Sequence, residues 1–200
     1  MSIIKAQLQS YKKHFLVLAP HRDVRVKLQK YSDAFIDSGL KGVYKFPLVA
    51  PLAVLSKPLT SEELKQIAHS LREIVGKSKI NAVDATTADF PADSQELRLL
   101  GHCLDLNIPI NVFESIKKQV KSFFSPLIIG SFLIPEADRD TIKKFSHRKE
   151  ELSFRAAAVA NMSWQQVQQD SEIVYRWEIG KLCWLPRIAE KKGFTKSKIM

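Results

Sequence analysis

Five histidines (His14, His21, His69, His102 and His147) and two cysteines (Cys103 and Cys183) are the side chains of this chain best suited to proton transfer or nucleophilic attack. Their spacing limits what they can do. No Cys-x-x-Cys occurs and no Cys/His group has the ligand spacing of a structural zinc site, so neither metal nor other cofactor is expected. His102 and Cys103 are adjacent in "RLLGHCLDL", a segment patterned as a strand. Neighbours on a strand point to opposite faces, so the two cannot easily serve one substrate as base and nucleophile. His102 alone could line a groove or fill a core. His69 falls within a helical pattern, His21 opens another, and His147 lies in the basic "SHRKEE"; all three read as surface residues. The chain has no Gly-rich phosphate loop, no Gly-x-Ser-x-Gly elbow and no His-Glu-x-x-His. The acidic pairs Glu62/Glu63 and Asp138/Asp140 fit helix starts, where the helix dipole favours negative charge.

The other chemistry open to the sequence is anion recognition. Its formal net charge is +10, which favours phosphate-rich partners. Arg98, Arg155 and Arg176 each fall within a predicted strand, and a guanidinium aimed into a groove can hold phosphate through two hydrogen bonds. On the outer face of a sheet the same residues would only be solvated. Trp164, Trp177 and Trp184 could stack a base or pack against helices. The basic runs "YKKH", "HRDVRVKLQK" and "EKKGFTKSKIM" read as solvated faces and loose ends rather than binding sites.

Elements able to position these residues follow from the hydrophobic pattern. "HFLVLAP" (His14–Pro20) is a short apolar run closed by proline, hence a buried strand. Val24, Leu28, Tyr31 and Phe35 recur every three or four residues, as on one face of a helix, with Gly39 as its stop. "PLVAPLAVL" (Pro47–Leu55) is a second strand, in which Pro51 implies a bulge or an edge. Thr60 and Glu63 form a capping box before a helix whose buried stripe is Leu64, Ile67, Leu71, Ile74 and Val75. "KINAVDATTADFPADS" reads as a strand followed by a loop, and Glu96–Leu106 as a strand. "NIPINVFESIKKQVKSFF" reads as a helix carrying Val112, Ile116 and Val120. "SPLIIGSFLIP" is a strand, and "EADRDTIKKFSH" a short helix. "LSFRAAAVANMSW" and "SEIVYRWEIGKLCWLP" are strands joined by the polar "QQVQQD". Strand, helix, strand therefore occurs twice, at Phe15–Leu55 and Leu97–Ile134, and each second strand opens on Pro-Leu and two apolar residues. The fold class expected is α+β.

The order "FLVLAPHRDVRVKLQ", "PLVAPLAVLSKPLTSEELKQI", "PLIIGSFLIPEADRDTIKKF" and "FRAAAVANMSW…VYRWEIGKLCWLP" resembles the 2H phosphoesterase superfamily, which includes bacterial 2′-5′ RNA ligase and 2′,3′-cyclic phosphodiesterase proteins. The resemblance spans about Phe15 to Pro186 and rests on element order, lengths and hydrophobic pattern. It implies a bilobal fold over residues 1–190, with two pseudo-symmetric lobes around a central groove and a basic tail at 191–200. In that family each lobe carries a His-x-Thr motif: one imidazole accepts a proton, the other donates one, and the hydroxyls hold the phosphate without a metal. Here the motif positions fall on Leu48 and Ala50 in the first lobe and on Leu127 and Ile129 in the second. Shifting the first register by one residue gives Val49 and Pro51. None of these side chains exchanges a proton or donates a hydrogen bond.

The expectation is a non-catalytic 2H-like protein that binds a nucleotide, an RNA end or a protein partner, with Arg98, His102, Arg155 and Arg176 as groove or phosphate-binding candidates. A phosphodiesterase of changed mechanism and an unrelated α+β interaction protein are the alternatives. No apolar run is long enough to span a bilayer, and the N-terminus lacks the pattern of a secretory signal. With two distant cysteines, this points to the cytoplasm and to no membrane partner.

Overall fold

The apolar run ending at Pro20 is the last part of a longer strand, β1 (Tyr11–Pro20). Phe15 to Leu18 are apolar and fully buried, as a strand covered on both faces requires. These features come from a computed structural model that describes residues 11–36, 43–75, 80–90, 97–135, 152–169 and 172–186. Helix α1 (Arg22–Ile36) buries Val24 and Leu28; the side chains of Tyr31 and Phe35 and the stop at Gly39 lie outside what is described. After β2 (Tyr44–Lys45) comes β3 (Ala50–Leu55). Pro51 sits where the β1–β3 register slips, since Leu16 faces Ala53 and Val17 faces Pro51. That is the bulge implied by a residue unable to donate to the ladder.

Helix α2 (Ser61–Val75) starts on the predicted capping box. The Glu63 N–H donates to Thr60 Oγ1 at 3.3 Å, and the Glu63 carboxylate accepts the Thr60 N–H at 2.7 Å. The same carboxylate accepts a short hydrogen bond from the Gln119 side-chain amide. These bonds, led by that of the Thr60 backbone, hold the Glu63 carboxyl below its ordinary pKa. The buried stripe is Leu64, Ile67, Ala68, Leu71 and Val75, with Ile74 half-buried.

One predicted strand extends well along its segment, and one predicted connection is strand instead. β4 (Ile80–Phe90) runs through "DATTADF", where the β-branched Thr86 and Thr87 pair with Gly101 and Leu100 of β5 (Leu97–Leu104). The "QQVQQ" connection is the end of β9 (Ala156–Gln169), paired with β10 (Glu172–Ile179), as Gln165 faces Arg176 and Gln166 faces Tyr175. Polar residues on an edge hairpin carry no apolar signal yet make the same ladder bonds. The helix predicted over Asn107–Phe124 is a shorter 3-10 helix, Ile110–Gln119, burying Val112, Phe113 and Ile116. Over so few turns, residues three and four apart fit either helix. Val120 leaves it in extended conformation and begins β6 (Val120–Phe123). β7 (Ile128–Pro135), β8 (Leu152–Phe154) and β11 (Cys183–Trp184) complete the strands. The helix expected in "EADRDTIKKFSH", with Asp138 and Asp140, lies outside the described residues, as do His147 and the basic tail.

The fold is α+β, with three helices and two antiparallel sheets among the described residues. One sheet has the order β10-β9-β1-β3-β6, with β11 also on β9; the other has the order β2-β7-β5-β4-β8. Taken from its far end, the second repeats the first: β8 stands for β10, β4 for β9, β5 for β1, β7 for β3 and β2 for β6. The edge strands are exchanged between halves. β2, from the first half, pairs with β7, and β6, from the second, pairs with β3. Both internal strand pairs, β1–β3 and β5–β7, are antiparallel and interrupted by a register shift.

The inner faces of the two sheets enclose an aromatic core. Phe90 packs against Phe15 at 5.4 Å and against Phe46 and Trp164 at 5.6 Å between ring centroids. Trp177 lies 4.9 Å from Phe46. Trp164 is fully buried, so it packs against strands and rings rather than helices. On the other side of β1, β3 and β9, the helices close a second core around Leu16, Leu52, Leu71 and Phe113. Asn161 of β9 joins β9 to the chain leading into α2. Its Oδ1 accepts the Leu59 N–H at 2.9 Å and its Nδ2 donates to the Leu59 carbonyl at 2.8 Å. Among the described residues no helix is long and apolar enough to cross a membrane.

Candidate functional site

The exchange of edge strands brings the two Pro-Leu segments together. The Gly130 N–H donates to the Val49 carbonyl at 3.0 Å, the Phe46 N–H to the Ser131 carbonyl at 2.9 Å, and the Leu104 N–H to the Leu127 carbonyl at 2.8 Å. Ala50 is 0% and Ile129 1% exposed; with the half-buried Leu48 and Leu127 they belong to one apolar cluster. In the shifted register, Val49 and Pro51 are buried too, and Val49 belongs to the aromatic core. The positions expected to match the motif therefore carry hydrocarbon side chains, none of which exchanges a proton or donates a hydrogen bond.

Glycines make the junction this tight. Gly101 and Gly130 are cross-strand partners on β5 and β7. A Cβ on Gly130 would lie 2.4 Å from Phe46 Cδ1, and one on Gly101 would lie 2.0 Å from the Ile129 carbonyl oxygen. With no Cβ, both strands approach what covers them more closely than any other residue allows.

The four candidate polar residues occupy four different settings. Arg98 on β5 faces its cross-strand neighbour Asp89, with its Nη2 3.3 Å from the carboxylate. His102, on the same strand opposite Ile129, is 3% exposed, and burial pulls its pKa down to about 4. It is neutral near pH 7, in the core rather than on an open surface. Arg155 is exposed between β8 and β9, and its carbonyl accepts the His21 N–H at 2.7 Å. Arg176 is exposed on β10; strand alternation points it away from the aromatic core that its neighbour Trp177 joins. Cys103 and Cys183 are free and half-buried, and burial, aided by Asp105, raises the Cys103 thiol pKa. His14 is half-buried on β1, with its pKa lowered by burial and then by Lys12. His69 is exposed, and His21 opens α1 with Nδ1 3.2 Å from Asp23. Among the described residues no cluster of His, Cys, Asp and Glu is arranged to hold a metal ion.

The concavity that borders these segments lies beside Leu127. It measures about 430 Å3 and is walled by Leu52, Leu104, Leu106, Phe113, Phe124 and Leu127. Asp105, Asn107 and Ser125 add polar groups. At its rim Ile110 is 67% and Phe123 42% exposed. A cavity of this size and lining is of the kind that takes an apolar group. Read as part of a helix, "KKQVKSFF" hides the break at Val120, and with it this cavity. No alternation marks β6 in the sequence, since Lys121 and Ser122 both separate Val120 from Phe123.

Scanned against models of protein families and against the curated proteins, the chain matches none of them.

Proposed function

We propose that this chain is a 2H-phosphoesterase-like protein that has lost phosphoester chemistry and acts by binding, at the cavity beside Leu127. The observation that carries this reading is the meeting of Leu48–Ala50 and Leu127–Ile129 in one apolar cluster at the point where two similarly ordered sheets exchange their edges. The repeated strand order supports a two-lobed ancestry. The apolar residues at all four motif positions support the absence of catalysis. Of the partners open to such a protein, the cavity favours one that inserts an apolar side chain over a nucleotide or RNA end, because no cation is among its lining residues. Arg155 and Arg176, both exposed, are the residues through which a phosphate-bearing partner would act instead.

The test is turnover of 2′,3′-cyclic nucleotides and of 2′-5′-linked oligoribonucleotides by the full chain. None is expected. Turnover that disappears in His102→Ala would overturn the reading in favour of a phosphodiesterase of changed mechanism. Binding of a mononucleotide that is lost when Arg155 and Arg176 are changed to Glu would move the binding site away from the cavity.

A further inference from the structure

We infer that β6 and the adjoining cavity form a docking site for an extended, acidic peptide segment of a partner protein, which adds as a strand to the β6 edge and places one apolar side chain between Ile110 and Phe123. The inference rests on the binding role proposed above and supplies its partner and mode. Three observations converge. First, β6 ends its sheet among the described residues. The Phe124 N–H donates inward to the Leu52 carbonyl at 3.1 Å. In an antiparallel pair successive residues alternate in direction, so the N–H and carbonyl of Phe123 point outward. An edge of this kind is a template for a further strand.

Second, the cavity opens beside that edge, and its rim is apolar and exposed. Phe123 packs on Phe113 with ring centroids 5.0 Å apart, yet 42% of it is exposed, and Ile110 is 67% exposed. Exposed apolar surface next to a well-formed cavity marks a recognition site. The other edges described lack this combination, since the cavity is lined by no residue of β2, β8, β10 or β11.

Third, the charge beside the edge is positive. Lys121 lies within β6, at the register shift opposite Val54 and Leu55, and Lys118 lies in the last turn of the 3-10 helix; both are exposed. Lys117, next to them, is paired with Glu114 at 3.4 Å. Asp105 stands at the β5 end of the lining. The peptide carboxylates are therefore expected over Lys118 and Lys121, away from Asp105. Charge so placed steers encounter and sets direction, while the strand bonds and the apolar anchor hold the complex.

A phage-displayed library of random dodecapeptides, selected on the immobilised full chain, tests this. Enriched peptides should carry an apolar residue with Asp or Glu at alternate positions and no proline within that stretch. Synthetic versions should bind the full chain at least about tenfold more weakly after Ile110→Asp and after joint Lys118→Glu and Lys121→Glu, all at exposed sites that leave the melting temperature unchanged. Methylating the backbone nitrogen of the residue that pairs with Phe123 should abolish binding, because that N–H faces the β6 edge. Absence of enrichment, enrichment of basic peptides, or indifference to Ile110→Asp or to methylation overturns the inference. So does tighter binding of a single-stranded decaribonucleotide that depends on the same lysines. Cyclic-nucleotide turnover by the same preparation would instead sink the non-catalytic reading and leave the peptide result standing.

Discussion

His102 offers a quantitative check on where the buried chemistry of this protein stands. It is 3% exposed on β5, with a pKa near 4 in the folded chain against 6.5 for a free imidazole. A histidine buried as the neutral base contributes stability that is complete above its unfolded pKa and is lost as the pH falls, because only the unfolded chain then takes up the proton. The difference between the two pKa values corresponds to ~3 kcal/mol at full loss. About 1.4 kcal/mol should go by about pH 5.5 and about 2.5 kcal/mol by about pH 4.5. Urea unfolding of the wild type and of His102→Leu, from about pH 7 down to about pH 4.5, isolates this contribution, since other titrating groups are common to both. The leucine variant should lose less stability over that window by about 2 kcal/mol or more. Parallel curves would refute the argument, and with it the claim that this imidazole is sealed in the core rather than poised for proton transfer.

Other expectations follow from single contacts. Thr60→Ala should lower stability by about 1 kcal/mol, or ~2–4 °C in melting temperature for a chain of this size, because the Glu63 N–H loses its acceptor. Gly101→Ala should cost about 3 kcal/mol or more, since its Cβ would meet a backbone carbonyl oxygen at 2.0 Å. Gly130→Ala meets movable Phe46 and Leu99 side chains and should cost about 1–2 kcal/mol; denaturant melts showing the reverse order would disprove the packing assigned to the β5–β7 pair. Asn161→Ala should cost ~2–3 kcal/mol by stranding both backbone groups of Leu59. Asn161→Asp sets a carboxylate against the Leu59 carbonyl, so its stability deficit should be larger near pH 7 than in mild acid, where a protonated carboxyl can donate; a pH-independent deficit would contradict this.

Much of the fold was legible because its signals are local. The Thr60 and Glu63 side chains satisfy backbone groups three residues apart, and the buried stripe of α2 follows from helix geometry alone. Pro51 announced a bulge because proline has no N–H for the ladder. The errors share a cause. The end of β9 is a strand by virtue of what lies beside it, and its Gln side chains do not reveal that neighbour. The helix of Ile110–Gln119 reads as continuing to Phe124 because its pattern does not mark where β6 begins.

For the candidate site, residue types alone rule out one kind of chemistry at four positions. Leu48, Ala50, Leu127 and Ile129 cannot relay protons wherever they lie, because side-chain chemistry does not depend on the fold. The duplicated strand, helix, strand order is also set by the sequence itself. That these two segments meet is a matter of packing, through edge strands exchanged between halves distant in sequence. Tertiary structure alone placed His102 in the core and Arg98 beside Asp89, since which face of a strand is covered depends on the sheet's neighbours. The cavity and the exposed edge of β6 also belong to that level. Pairing and enclosure are properties of chains packed in space, and no local pattern of residues specifies them.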